Sequence, residues 1–420
     1  MFWIRRILLW IWIAILMING IPKCTNHSDE EVACFAGTTD HKLERGLVSD
    51  NNRTTSIILR NCRISEVDYE AFENLFNLRR LDLSHNKIIT FKLGVLDGFT
   101  NLIYLNMSYN YITGFPLGLF DQKPNLEILD LKGNEITSLE LGIFDLMKKL
   151  KYVDLSSNKL LGHNFDPYLF DQSPYITFMD FSRNNMTEAK NNILHAFQSI
   201  QFLNLDRCSL NAVPSFAISY NLKTMIHLML SSNQISELPE NTFIQLDNLE
   251  ILNVAHNVIK RIENRVLQPL KKLKMIVLRH NLLNNIPENL FTDMKNLGNI
   301  DLSYNKLEYV TVNAFRGTAL KNLNLAGNQL TFLTSNFCLE LRNSGVFLAK
   351  FYFNQNPWQC WCLHEVLKEV NKYGIKYNRE QYNGQVPVCV TSNQFTCIRD
   401  MNLVGNYAIQ YRNLILHRSD

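Results

Sequence analysis

The sequence predicts an α/β repeat solenoid: short coils stacked into a curved horseshoe, with a parallel β-sheet on the concave face and disulfide-stabilised caps. Three observations carry that prediction. An eleven-residue pattern recurs at a nearly constant interval through most of the 420 residues, and cysteines gather near both ends. A composition that is 46% hydrophobic and 19% charged supplies enough apolar side chains for a continuous core.

The pattern is L-x-x-L-x-L-x-x-N-x-L, as in Leu126–Ile136 and Leu297–Leu307. Its polar ninth position falls at Cys62, Asn86, Asn110, Asn134, Asn158, Asn184, Cys208, Asn233, Asn257, Asn281, Asn305, Asn328 and Asn356, which defines about 13 repeats over residues 54–356. Eight of the 12 intervals are 24 residues. In the x-L-x-L-x segment a short strand turns leucines inward and the x residues toward solvent, so each coil stacks its leucines on the next. The ninth-position Asn has a donor and an acceptor on one short side chain, suited to backbone groups left over in the turn, and cysteine is a small substitute there. Phe72, Phe120, Phe144, Phe170, Phe243, Phe291 and Phe315 recur just before the next repeat and predict an aromatic spine behind the strands.

After the last repeat come Asn356-Pro357-Trp358-Gln359-Cys360-Trp361-Cys362 and then Cys389 and Cys397. With these features the chain resembles the typical-type extracellular leucine-rich-repeat proteins, and its layout is similar to secreted insect members such as the mosquito leucine-rich immune family. That resemblance implies a C-terminal cysteine cap over 357–397, with Cys360 paired to Cys389 and Cys362 to Cys397. Leu363, Val366, Leu367, Val370 and Tyr373 have the helical spacing to close the core there. The N-terminal cap, 21–53, offers Cys24 and Cys34, where the family cap often has four cysteines. Residues 398–420 read as a tail.

Residues 1–20 read as a signal peptide: Arg5 and Arg6 precede the apolar run Ile7–Ile18, which is shorter than the ~20 residues that span a bilayer. The expected location is extracellular and secreted, with no membrane span in the mature chain; an uncleaved anchor is the alternative, making a surface receptor. Without the two arginines the net charge falls from +3 to +1, so nothing steers nucleic acid. Sequons at Asn26, Asn52, Asn106 and Asn185 suit that location. Of the nine cysteines, Cys62 and Cys208 hold ladder positions and six belong to the caps. Cys338 is left over, either as a buried small hydrophobe or as a link to another chain in a possible dimer.

No pattern for a catalytic metal, a nucleophile elbow or a phosphate-cradling loop occurs, so neither enzyme nor cofactor is expected, and function is sought on the strand face. Counting the first Leu as position 1, position 3 reads Arg80, Tyr104, Ile128, Tyr152, Phe178, Phe202, His227, Ile251, Met275, Asn299 and Asn322, with Met229 and Val277 at position 5. Solvent-facing positions should be polar; an apolar ribbon there marks a partner-binding surface, or else stiffens the sheet by cross-strand pairing. Position 8 supplies Arg183, Arg207, His256 and His280, with Arg279 beside them, as a basic edge that meets an acidic ligand or is an ordinary solvated rim. His256 and His280 on neighbouring coils could chelate metal or sense acid, but without a third ligand no metal is expected. Asp82, Asp130, Asp154, Asp180 and Asp301 at position 5 read as structural, bonding across strands. A glycan at Asn106 would wall off the third repeat and direct partners to repeats five to ten. The family resemblance implies an extracellular recognition module, in innate immunity or cell–cell signalling, for a protein or lipoprotein ligand. An adhesion or matrix protein acting by self-association is the alternative.

Overall fold

The computed structural model describes residues 23–26, 30–35, 39–49, 51–384, 387–391 and 395–416. The expected leader, residues 1–20, lies outside them. The chain divides into two compact units, Met1–Cys208 and Ser209–Asp420, each a parallel-strand solenoid.

In the first unit the strands Lys23–Asn26 and Glu31–Phe35 form an antiparallel hairpin, with Cys24 opposite Cys34 and bonded to it. Glu31–Phe35 then pairs in parallel with Ser56–Ile58. From there the sheet adds Arg80–Asp82, Tyr104–Asn106, Ile128–Asp130, Tyr152–Asp154, Phe178–Asp180 and Phe202–Asn204, each in register with the strand before it. The second unit repeats the arrangement with His227–Met229, Ile251–Asn253, Met275–Val277, Asn299–Asp301, Asn322–Asn324 and Lys350–Tyr352.

Strands are three residues long because only positions 3 to 5 alternate cleanly. The middle residue, such as Leu105, Leu129 or Leu228, is buried, and its neighbours face outward. Leucines at positions 1, 4 and 6 are fully buried, for example Leu126, Leu129 and Leu131. Each contributes about 1.5–3 kcal/mol of burial that a lone coil could not supply. The seven expected spine phenylalanines are all buried. Phe144 stacks on Phe170 at 5.2 Å and Phe291 on Phe315 at 5.9 Å. Behind the strands the coils return through turns and short 3-10 segments.

The ladder asparagines couple successive coils. Asn110 donates from Nδ2 to the carbonyl of Leu83 in the preceding coil at 2.9 Å and to its own Met107 at 3.0 Å, while its Oδ1 accepts the Ile88 N–H at 3.1 Å. Asn134, Asn158, Asn257, Asn281 and Asn305 repeat this pattern. Cys62 and Cys208 do half the work: their thiols donate to the carbonyls of Cys34 and Phe181 at 3.2 and 3.3 Å.

All described α-helices lie near the end of the second unit: α1 (Phe337–Asn343), α2 (Cys360–Lys372) and α3 (Val404–Leu416). Helix α2 buries Cys362, Leu363, Val366 and Val370 over the open end of the core, and the disulfides Cys360–Cys389 and Cys362–Cys397 hold it. Trp358 is fully buried and donates from Nε1 to the Phe353 carbonyl at 2.8 Å. Within the expected tail, Val404–Leu416 form helix α3, whose Val404 packs with Cys362 of the cap and Phe332.

Cys338 is 1% exposed and, like Cys62 and Cys208, forms no disulfide. Burial, followed by the nearby Glu369 charge, pushes its thiol up to about 12. This corrects the intermolecular alternative: a sulfur that is both covered and protonated neither meets nor attacks a partner's cysteine.

Three outcomes follow from this packing. Replacing Asn110 with Ala strands the Ile88 N–H in the core and leaves the Leu83 and Met107 carbonyls only their second donors, Asn86 and Asn134, so it should lower stability by on the order of 2 kcal/mol in urea titration. Cys62→Ala should cost less in the same titration, because a thiol is a weak donor. Alkylation of the native protein should leave Cys62, Cys208 and Cys338 unmodified, and unfolding without reductant should add three labels in the mass spectrum.

Candidate partner-binding face

Strand register sets the first-unit ribbon residues side by side. Tyr152 lies opposite Phe178 and Phe178 opposite Phe202. Their rings stack nearly parallel, with centroids 4.2 and 4.6 Å apart. All three are half-buried: ring faces cover one another and ring edges look outward. Both sequence readings therefore have a physical basis here, since stacking stiffens the sheet and the outer edges stay open to a partner. Tyr104 and Ile128 extend the row, and the guanidinium of Arg80 sits 3.8 Å over the Tyr104 ring. In the second unit His227, Ile251 and Met275 form an in-register row of their own, with Met229 and Val277 at position 5, all half-buried.

Position 8 has a role that the residue types did not disclose. In every coil this residue takes the left-handed conformation that turns the chain out of the strand, with φ between 53° and 58° at His85, Tyr109, Ser157, Arg183, Arg207, Ser232, His256, His280, Tyr304 and Gln355. Gly133 and Gly327 hold the same position at 67° and 68°. A Cβ on Gly133 would come 2.7 Å from the Tyr109 ring, which lies over it. Rings at this position therefore stack from coil to coil: His85 on Tyr109 at 4.5 Å, His256 on His280 at 4.3 Å, and His280 on Tyr304 at 4.4 Å. Tyr304 Oη donates to Gln355 Oε1 at 2.8 Å.

This geometry corrects the metal alternative for His256 and His280. Ring nitrogens hold their lone pairs in the ring plane, and two rings stacked 15° from parallel do not aim them at a common point. Among the described residues no cluster of three His, Cys, Asp or Glu could hold a metal. The His280 imidazole is held below its usual range by burial, then by the His256 and Arg279 charges. Arg183, Arg207 and Arg279 are exposed on the rim.

The position-5 carboxylates also behave differently from expectation. Each accepts the N–H two residues ahead in its own coil: Ser84 to Asp82, Lys132 to Asp130, Ser156 to Asp154, Ser182 to Asp180 and Ser303 to Asp301, at 2.7–3.1 Å. A short side chain reaches its own turn more easily than the next strand. The cross-strand bond that does form joins Asn204 Nδ2 to Asp180 at 2.9 Å.

The sequons divide by environment. Asn52 and Asn185 are exposed, and Asn26 ends the first strand of the hairpin. Asn106 is half-buried on the strand face, where its amide nitrogen donates to Tyr104 Oη at 3.2 Å, so a glycan would replace that bond.

With this geometry in view, comparison with known proteins is direct. Segments 52–112, 108–160, 223–283 and 272–330 match the family described as Leucine rich repeat, together more than half of the chain. The chain belongs to the leucine-rich-repeat family. No curated protein sequence matches it. Among solved structures, a leucine-rich-repeat protein of Leptospira interrogans is similar at a TM-score of 0.68 and 22% identity, covering 86% of this chain and 93% of that one. Drosophila Toll in its complex with Spatzle is similar at 0.65 and 18%, covering 88% and 54%, so this chain spans about half of it. An internalin of Listeria monocytogenes follows at 0.57 and 16%, covering 77% and 89%. At these identities the likeness concerns the fold.

The face carries a testable titration signature at Asp130. Burial, then the neighbouring Asp154 and Asp82 charges, push the Asp130 carboxyl up to about 6, against the Lys132 N–H bond that lowers it. A carboxyl raised in the folded state makes a stability contribution that is present below about pH 4 and lost as pH rises through about 6. Asp130→Asn keeps the turn acceptor and should stabilise the protein by on the order of 1–2 kcal/mol at pH 7, and by nothing near pH 4. Denaturant melts of both proteins at the two pH values check this.

Proposed function

We propose that the chain is a secreted recognition protein, acting in innate immunity or cell–cell signalling, that binds a protein or lipoprotein partner on the strand face of its coils. The observation that carries this is the file of half-buried rings Tyr152, Phe178 and Phe202, continued by Ile128 and Tyr104. Stiffening a sheet needs only cross-strand contact, which valine or threonine provides. Rings add apolar area above the backbone that water covers at a cost and a partner covers at a gain, and aromatic anchors of this kind dominate protein interfaces.

Three disulfides favour an oxidising compartment, and the sequons at Asn52 and Asn185 lie where glycans fit without disturbing the core. Toll in complex with Spatzle, described as a hub in development and innate immunity, shares the fold and supports the same kind of work for this chain.

The immobilised full chain should capture a partner from the extracellular fluid of its source, identified by mass spectrometry. Phe178→Ala and Phe202→Ala should each weaken that partner by about 10- to 100-fold, with the circular dichroism spectrum unchanged. Undiminished affinity in both folded variants would remove the ribbon as the docking surface.

A further inference from the structure

The strand face holds a second row, two residues along each strand from the rings. In the first unit it reads Asp82, Asn106, Asp130, Asp154, Asp180, Asn204. Register places Asp130 opposite Asp154 and Asp154 opposite Asp180, so three carboxylates follow one another at the ~4.8 Å strand spacing. Like charges directly opposite each other destabilise a sheet.

Elsewhere the molecule relieves its acids with cations from a neighbouring coil. Lys151 meets Glu127 at 2.9 Å, Lys92 meets Glu66 at 2.7 Å and Lys42 meets Asp68 at 2.8 Å. Among the described residues no such pair reaches Asp130, Asp154 or Asp180. Each has one oxygen on the backbone of its own turn, and Asp180 shares its other with Asn204. Asp154 and Asp180 are only 5% and 8% exposed, so bulk water solvates these charges poorly.

Beside each carboxylate stands an apolar side chain: Ile128 with Asp130, Tyr152 with Asp154 and Phe178 with Asp180. The two rows lie ~6.6 Å apart along the strand, close to the length of a lysine or arginine stem. We propose that this face takes a basic, extended segment of a partner protein. Its lysine or arginine stems lie along Ile128, Tyr152 and Phe178, and their cationic ends meet Asp130, Asp154 and Asp180. Same-side residues of an extended chain repeat every ~6.6 Å, so two of them cover the ~10 Å that three strands span. The inference rests on the docking reading and specifies its partner's charge. It also reverses the expectation of an acidic ligand drawn from the rim: Arg183 and Arg207 stand outside this row, where they suit acidic residues flanking the basic ones.

The test uses the full chain and fluorescence anisotropy with two labelled ten-residue peptides, alternating Lys-Thr and alternating Glu-Thr. The lysine peptide should bind at least about tenfold more tightly, and should weaken by a similar factor from 50 to 500 mM salt. The triple substitution Asp130→Asn, Asp154→Asn, Asp180→Asn keeps the turn acceptors and should abolish that preference, whereas Glu70→Gln with Glu73→Gln, away from the strand face, should preserve it. Equal binding of the two peptides, or an undiminished preference in the folded triple variant, would overturn the inference. If Phe178→Ala still weakens the captured partner when that happens, the docking surface stands and only its charge assignment falls. If the ring variants are silent as well, both readings fall.

Discussion

The side-chain amide at the ninth position of each coil is the interaction on which the rest depends. A three-residue strand has too few backbone bonds and too little apolar area to persist alone. By donating into the preceding coil and accepting from it, as Asn110 does with Leu83 and Ile88, the ladder fixes the rise and register between coils. Its amides are buried, so a missing partner leaves groups that water cannot reach, which makes the register unforgiving. Cys62 and Cys208 are tolerated because a thiol still donates to the preceding carbonyl.

Fixed register turns a sequence position into a physical row. Position 3 becomes a file of rings from Tyr152 to Phe202, position 5 a file of Asx side chains from Asp82 to Asn204 that close their own turns, and position 8 a left-handed corner. Each file imposes its own constraint. Rings at a spacing below 5 Å stack face to face and offer only their edges. Carboxylates at the same spacing repel, which adds to the burial that chiefly raises the Asp130 carboxyl. Residues at the corner must accept a positive φ, which is why glycine serves at Gly133 and Gly327 and why the tyrosines before them can lie flat.

Much of this was legible from residue order. The buried leucines, the phenylalanine spine and the cap helix follow from spacing alone, because each is a local period projected onto a core. The two C-terminal cap disulfides match the pairing implied by resemblance. Helix α3 is hidden because its sequence, Val404–Leu416, mixes apolar and polar residues without a strong face; docking of Val404 on Cys362 of the cap selects the helix. The position-5 aspartates were assigned to the wrong bond because residue type does not say whether a carboxylate reaches the next strand or its own turn. The stacked rim rings could have been found by reading position 8 down the repeats, where His, Tyr and Gly recur.

By itself the sequence determined the repeat, its register, the inward leucines, the coupling asparagines and the list of residues that face outward. Those follow from a period, and a period is a one-dimensional property. The tertiary structure alone decided how outward residues on different coils meet: that Tyr152, Phe178 and Phe202 share ring faces, that His256 and His280 stack instead of converging, and that three aspartates stand in file without an ion pair among the described residues. Contacts between coils depend on rotamers and on a separation of a few ångströms, and neither is written in the order of residues along one strand.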